Sequence, residues 1–379
     1  MAQALPPLMD LPAWRAESGA SAPRRVVSAD DTLTADAAYR LACEGTGLLW
    51  QGDFHNARQL LQALARRVDR KPTKKNKAPT PEVTPAQAFH LHRQAQGQRA
   101  RTLAMVLVPM NGDYTIPLRR APDLREACTQ AWGPAQGETC MVSLRELLGL
   151  VGAHEWHKKG VEISALGEAP HNRINPHYGV FSPVRGEYVD LVATTPIRDK
   201  SLAFDIGVGT GVLSAVLARR GVQHIVATDQ DPRAITCARD NLKRLQCLDK
   251  VELLQTDLFP PGQAPLVVCN PPWVPARPSS PIEHAVYDEG SRMLRGFLSG
   301  LREHLSPQGE GWLILSDLAE YLGLRSRNEL LAWIASAGLQ VLGRHDIRPR
   351  HSKASDAHDA LHAARAAEVT SLWRLGSAV

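Results

Sequence analysis

Residues 202–211, LAFDIGVGTG, and residues 266–273, LVVCNPPW, decide how this chain is read. Each is a short apolar run that ends in polar or conformationally special residues. The first ends in Asp205 and a turn of alternating glycines, the second in Asn270 and two prolines. Short apolar runs bounded by turn residues read as strands buried on both faces. Around them, strand and helix patterns alternate. Residues 202–206, 224–228, 251–255, 266–269 and 312–316 read as strands. Residues 211–220, 232–245, 290–305 and 328–336 read as helices, and residues 341–346 and 368–375 as a final strand pair. This alternation implies a mainly parallel, doubly wound α/β sheet. Ligands of such sheets lie beyond the carboxyl ends of the strands. Chemistry is therefore expected just after Ile206, Thr228, Gln255 and Cys269.

The glycines Gly207, Gly209 and Gly211 have the spacing Gly-x-Gly-x-Gly, not the Gly-x-Gly-x-x-Gly of the dinucleotide fingerprint. Asp205 precedes them by two residues. A carboxylate there repels a pyrophosphate and suits a ligand with an ammonium group. S-adenosylmethionine has an ammonium and a sulfonium and no phosphate. Asp229 follows the second strand, where a carboxylate can accept both ribose hydroxyls; capping of the next helix by Asp229 or Asp231 is an equal reading of that residue alone. Asp257 follows the third strand, placed to accept from an adenine amino group while Leu258 covers the ring. Asn270-Pro271-Pro272-Trp273 is the most specific signal. Each proline fixes φ near −65°, which aims the Asn270 carboxamide and the Pro271 carbonyl as two acceptors. Two acceptors beside an aromatic ring make a receptor for a planar group bearing NH2.

The runs FDIGVGTG, ATDQDP, QTDLF and CNPPW resemble the class I S-adenosylmethionine-dependent methyltransferases. More narrowly, they resemble the small-domain superfamily with an Asn-Pro-Pro-aromatic motif. That group includes release-factor glutamine methyltransferases, ribosomal-RNA guanine amino-methyltransferases and adenine amino-methyltransferases. The resemblance covers residues 179–375. It implies a Rossmann-like, seven-stranded sheet and S-adenosylmethionine as cofactor. The residues it assigns to the cofactor are Asp205, Gly207, Gly209, Gly211, Asp229, Asp257, Leu258 and Asn270. It implies methyl transfer to an amino or amide nitrogen at Asn270, Pro271, Pro272 and Trp273. Residues 179–188, GVFSPVRGEY, are similar to the family's lead-in element over the cofactor, making Phe181 and Arg185 candidate substrate contacts. Trp273 stands where Tyr or Phe is commoner in the relatives.

A chain of 379 residues suggests two domains, here 1–160 and 161–379. In the first, residues 1–30 read as a loose tail, 31–42 and 53–70 as helices, and 69–85 as a linker. Residues 103–110 and 114–118 read as a hairpin about Asn111-Gly112, and 122–132 and 143–159 as helices, giving an α+β unit. Residues 1–160 hold 21 basic and 15 acidic side chains, more than the whole net charge of +5. Lys71, Lys74, Lys75, Lys77, Arg119 and Arg120 are the expected phosphate contacts. Six cysteines without a Cys-x-x-Cys pair read as thiols of a reducing compartment. No apolar run approaches the roughly 18 residues of a membrane span, and the start is not a secretory signal. A cytoplasmic protein without membrane or metal partners is expected. In His154-Glu155-Trp156-His157 the second histidine comes one residue too early for a zinc-protease pair. His351, His358 and His362 read as a solvated loop and helix.

The expected reaction is nitrogen methylation, with an exocyclic base amine of RNA, such as ribosomal RNA, as acceptor. The basic first domain supplies that tilt, because phosphate contacts drive RNA affinity. The alternative acceptor is a protein glutamine amide, as in release factors. A catalytically silent S-adenosylmethionine-binding module is a remoter alternative, opposed by the intact Asp205 and Asn270. A nicotinamide dehydrogenase is opposed by the glycine spacing and the acid before it.

Overall fold

The computed structural model describes residues 12–70, 83–278, 281–349 and 361–378. The chain divides into two units, Met1–Glu155 and Trp156–Val379.

The first unit is built on five strands: β1 (Ala13–Arg15), β2 (Arg25–Ala29), β3 (Thr46–Trp50), β4 (Val106–Met110) and β5 (Cys140–Ser143). Their order is β1-β5-β4-β3-β2. β2, β3 and β4 are parallel, while β5 runs against β4 and carries β1 beside it. Helices α1 (Ala35–Cys43), α2 (Phe54–Val68) and α3 (Pro85–Leu103) lie between β2 and β4, and α4 (Arg125–Trp132) and α5 (Leu144–Lys159) flank β5. α2 buries Ala57, Leu60, Leu61 and Leu64 and is capped by the Asp53 carboxylate, which accepts from His55 N–H. α3 opens with a capping box between Thr84 and Gln87 and Pro85 in its first turn.

Three sequence expectations fail here. The segment read as a tail contains β1 and β2. The hairpin about Asn111-Gly112 does not form, because residues 114–118 add no strand and β4 pairs with β3 and β5 instead. Pro117 lacks the N–H that a ladder needs, and Tyr114 sits at φ 68°. The loop closes on itself through Asn111 N–H to Thr115 O, 2.8 Å. β3, β5 and α3 were not anticipated. The linker lysines Lys71, Lys74, Lys75 and Lys77 lie outside the described residues.

The second unit opens with a two-stranded ribbon, β6 (Val161–Glu162) and β7 (Arg173–Ile174), and with α6 (Glu187–Thr194). Its main strands are β8 (Leu202–Ile206), β9 (His224–Asp229), β10 (Val251–Gln255), β11 (Ala264–Cys269), β12 (Leu305–Ser316), β13 (Leu339–Ile347) and β14 (Thr370–Ser377). They form one sheet in the order β10-β9-β8-β11-β12-β14-β13. The first five are parallel and β14 is antiparallel to both neighbours. The doubly wound sheet read from the sequence is present, strand for strand. Helices α7 (Val212–Arg219), α8 (Pro232–Arg244), α9 (Arg292–His304), α10 (Leu318–Tyr321), α11 (Arg327–Ser336) and α12 (His362–Ala367) complete the unit. Alternation along β8 and β11 divides the core. Ala203, Leu266 and Val268 join the buried residues of α6 and α7 on one side. Phe204, Ile206, Val267 and Cys269 join Phe297, Leu298 and Leu301 of α9 on the other. All six cysteines are free thiols and only Cys43 is exposed. Among the described residues no helix is long and apolar enough to cross a membrane.

Candidate active site

The carboxyl ends of β8, β9, β10 and β11 bring the expected residues to one rim of the sheet. At the end of β8, Asp205 is 1% exposed. Its Oδ2 accepts from the Ser214 hydroxyl at 2.6 Å. Its Oδ1 is buried with no hydrogen-bond partner among the described residues. Burial pushes its pKa up to about 6, with the Asp229 carboxylate adding to the rise and the Ser214 hydrogen bonds opposing it. A buried carboxylate oxygen without a donor is costly, and an ammonium group would satisfy it.

The glycine turn that follows needs its glycines for geometry. Gly207, Gly209 and Gly211 have φ of 79°, 52° and 82°, values that other residues adopt at a cost. A Cβ on Gly211 would meet the Ala238 Cα of α8 at 3.2 Å, and one on Gly207 would meet Met293 Cε at 2.7 Å. Nothing lies within 4 Å of that position on Gly209, so the turn presents bare backbone there. Asp229 holds the turn: its Oδ2 accepts from Gly209 N–H at 3.0 Å and its Oδ1 from Asp231 N–H at 2.9 Å. Burial raises its pKa against those two hydrogen bonds. The unpartnered Asp205 oxygen, the open face at Gly209 and the absence of a basic side chain in the turn fit an S-adenosylmethionine amino-acid moiety.

The end of β10 differs from expectation in its partners. Asp257 is half exposed and paired with Arg292 of α9, whose Nη1 lies 3.2 Å from Oδ2. Arg292 also donates to Gln230 Oε1 at 3.3 Å. It therefore ties together the loops after β9 and β10. Leu258 stands at φ 62° and packs into the α9 side of the core, its Cδ1 filling the space beside Gly296.

At the end of β11, Pro271 is buried, and Asn270, Pro272 and Trp273 are half-buried. Trp273 Nε1–H donates to Asn270 Oδ1 at 2.9 Å. The Trp273 ring packs against both halves of the core. The chain then returns: Asp288 N–H donates to Val274 O at 2.9 Å. The Asp288 carboxylate accepts from Met293 N–H at 2.9 Å and Leu294 N–H at 3.2 Å, capping α9. Burial raises the Asp288 pKa, and those backbone N–H bonds oppose the rise.

Of the two lead-in residues, Phe181 is half-buried. Arg185 makes a two-pronged ion pair with Glu368, 3.1 Å on each side, and Ser316 Oγ donates to the same carboxylate at 2.7 Å. Arg185 thus joins the lead-in segment to the start of β14, and its guanidinium has a protein partner where a substrate contact was expected. Sequence reading did not single out Ser214, Asp288, Arg292 or Glu368. The only available signal was an acid before a Gly-Ser turn at Asp288.

Residues 172–324 match the family model described as "Methyltransferase small domain". The chain is a methyltransferase. Its class I fold and its dependence on S-adenosylmethionine follow from that family and from the seven-stranded sheet. The methyltransferase is 29% identical over 187 residues to a tRNA1(Val) (adenine(37)-N6)-methyltransferase of Shewanella loihica, covering 46% of this chain and 74% of that protein. It is 26% identical over 154 residues to a Methanocaldococcus jannaschii protein named as a protein N5-glutamine methyltransferase, covering 38% and 77%. Among solved structures, the ribosomal protein L11 methylase of Lactobacillus delbrueckii subsp. bulgaricus aligns over 56% of this chain and 90% of its own, with 14% identity and a TM-score of 0.39.

Proposed function

We propose that this enzyme methylates an exocyclic amino nitrogen of a base in RNA. The observation that carries the reading is the Asn270-Pro-Pro-Trp273 loop at the end of β11, one strand from the glycine turn, with the Asn270 carboxamide held by the Trp273 indole. Relatives that modify a tRNA adenine and a protein glutamine both act on a planar NH2 group, which supports nitrogen as the acceptor.

In this reading the bare backbone at Gly209 and the carboxylates Asp205 and Asp229 hold the cofactor. Asp205 takes the ammonium at its free oxygen, and Asp229 takes the ribose while keeping the turn closed. Bound S-adenosylmethionine supplies an electrophilic methyl group on a sulfonium. Asn270 Oδ1 keeps one lone pair beyond the one given to Trp273, and it accepts one N–H of the target amine. The Pro271 carbonyl accepts the other. These acceptors orient the nitrogen lone pair and stabilise the positive charge that the nitrogen gains as its bond to carbon forms. The surplus proton is acidic once the methyl has arrived and leaves to water, so no strong base is required. Free thiols throughout the described residues suit a cytoplasmic setting.

The test is transfer of a tritiated methyl group from S-adenosylmethionine into fractionated cell extract. RNase should remove the label. Label that survives RNase and yields to protease would move the acceptor to a protein glutamine. An absence of label in both fractions would overturn nitrogen methylation itself.

A further inference from the structure

We propose that α2 and α3 of the first unit form the surface that holds the RNA backbone; the inference rests on the RNA reading above. The two helices have 15 and 19 residues. They carry Arg58, Arg66, Arg67, Arg93, Arg99 and Arg101, and not one Asp or Glu. These six arginines equal the entire basic excess of residues 1–160. An ordinary solvated helix mixes both signs along its exposed face. Here every neutralising carboxylate described comes from outside: Asp36 of α1 meets Arg67 at 2.8 Å, and Asp69, beyond the end of α2, meets Arg99 at 2.7 Å.

The second pair also fastens α2 to α3, so the helices present one surface. On α2, Arg58, Gln62 and Arg66 recur every four residues and all are exposed, which puts them in one stripe. On α3, Gln94, Gln98 and Arg101 make a second exposed stripe, with Arg101 donating to Gln98 at 2.8 Å. α3 buries only Phe89, Thr102 and Leu103, and Leu91 is 56% exposed. A helix of that length with so little apolar face contributes mainly its surface. Guanidinium forks match phosphate oxygens in pairs, and glutamine amides add donors between them. The arginines expected from sequence are differently placed. Arg119 and Arg120 lie against Asp53, whose side chain is fully buried, at 3.2 and 2.6 Å, and latch a loop.

The experiment uses the full chain and a 5′-fluorescein-labelled 24-nucleotide RNA hairpin, read by polarisation from 50 to 300 mM NaCl. Each phosphate contact contributes about −0.7 to −0.9 to the slope of log affinity against log salt. The triple variant Arg58→Gln, Arg66→Gln, Arg101→Gln should flatten that slope by about 2, with S-adenosylmethionine affinity unchanged. The triple Arg→Lys variant keeps the charges and should keep most of the slope. A glutamine variant with the wild-type slope and affinity would overturn the surface, as would a lysine variant that loses the slope equally. Methyl transfer read in parallel separates the two claims. RNA labelling that persists while the slope is unmoved refutes only the surface; labelling confined to protein refutes the RNA reading.

Discussion

The indole Nε1–H of Trp273 donates to the carboxamide oxygen of Asn270 at 2.9 Å, three residues away in the same loop. A Phe at 273 has no donor at that point of the ring, and the hydroxyl of a Tyr lies elsewhere. This chain therefore fixes the amide of Asn270 with its own aromatic. The bond decides which end of the carboxamide faces the indole and leaves Oδ1 one lone pair for an incoming N–H.

Replacing Trp273 by Phe keeps a ring in both halves of the core and removes the donor. One net hydrogen bond is worth about 1 kcal/mol. Turnover should fall by roughly five- to tenfold while S-adenosylmethionine binding stays constant. A site-specific benzothienylalanine, which exchanges the N–H for sulfur at equal shape, should reproduce the loss. Full turnover in either variant would show that the indole does not position Asn270.

Asn270→Ala removes the preorganised acceptor itself. We expect turnover about 10²–10³ lower, and calorimetric affinity for S-adenosylmethionine close to wild type. Unchanged turnover would mean that the reacting nitrogen is held elsewhere.

Asp205 gives a pH signature. Its pKa is raised to about 6 in the free protein. Tyr188 and Cys269, which interact with it, are both pushed up by burial and stay neutral in that range. As pH falls through about 6 the carboxylate takes up a proton and loses its attraction for an ammonium. The dissociation constant of S-adenosylmethionine should then rise, by at most about tenfold per unit. The free protein should behave oppositely in stability. An acid whose pKa is higher folded than unfolded binds more protons in the fold, so stability falls as pH rises from about 4 to 6. Asp205→Asn should flatten both profiles; a wild-type binding curve flat from pH 5 to 8 would remove Asp205 from the ammonium site.

Glu368 is fully buried against Arg185 and Ser316. Breaking a buried pair from one side costs about 3–5 kcal/mol, and in a chain of this size each kcal/mol moves Tm by roughly 2–4 °C. Glu368→Ala should lower Tm by about 10 °C in a thermal scan. A shift under about 2 °C would mean that the lead-in segment is held by other contacts.

The parallel sheet was legible because its strands are short apolar runs, such as residues 202–206 and 266–269, that stop abruptly at an acid, glycine or asparagine. The residues after them were legible because chain spacing alone puts strand ends on one rim. What escaped the reading has a common cause. Arg292 with Asp257, Arg185 with Glu368 and Asp288 with Met293 are partners chosen by the fold, separated by 35, 183 and 5 residues respectively. No periodicity marks such pairs. In the first unit, β1 and β2 lie within a Pro-, Ala- and Ser-rich stretch whose composition imitates a tail. α3 was hidden because its few large apolar residues, Phe89, Leu91 and Leu103, do not recur along one helical face.

Asp288 makes the acceptor loop and the glycine turn two ends of one splint. Through its main chain it clasps Val274, just past Trp273; through its carboxylate it seats Met293, whose methyl touches the turn at Gly207. Met293 and the residue that follows Trp273 are therefore held by one and the same aspartate. Thermodynamic reciprocity then requires that any help the donor gives the acceptor be returned by the same factor. One residue thus reaches toward both halves of the site, through its main chain on one side and its carboxylate on the other.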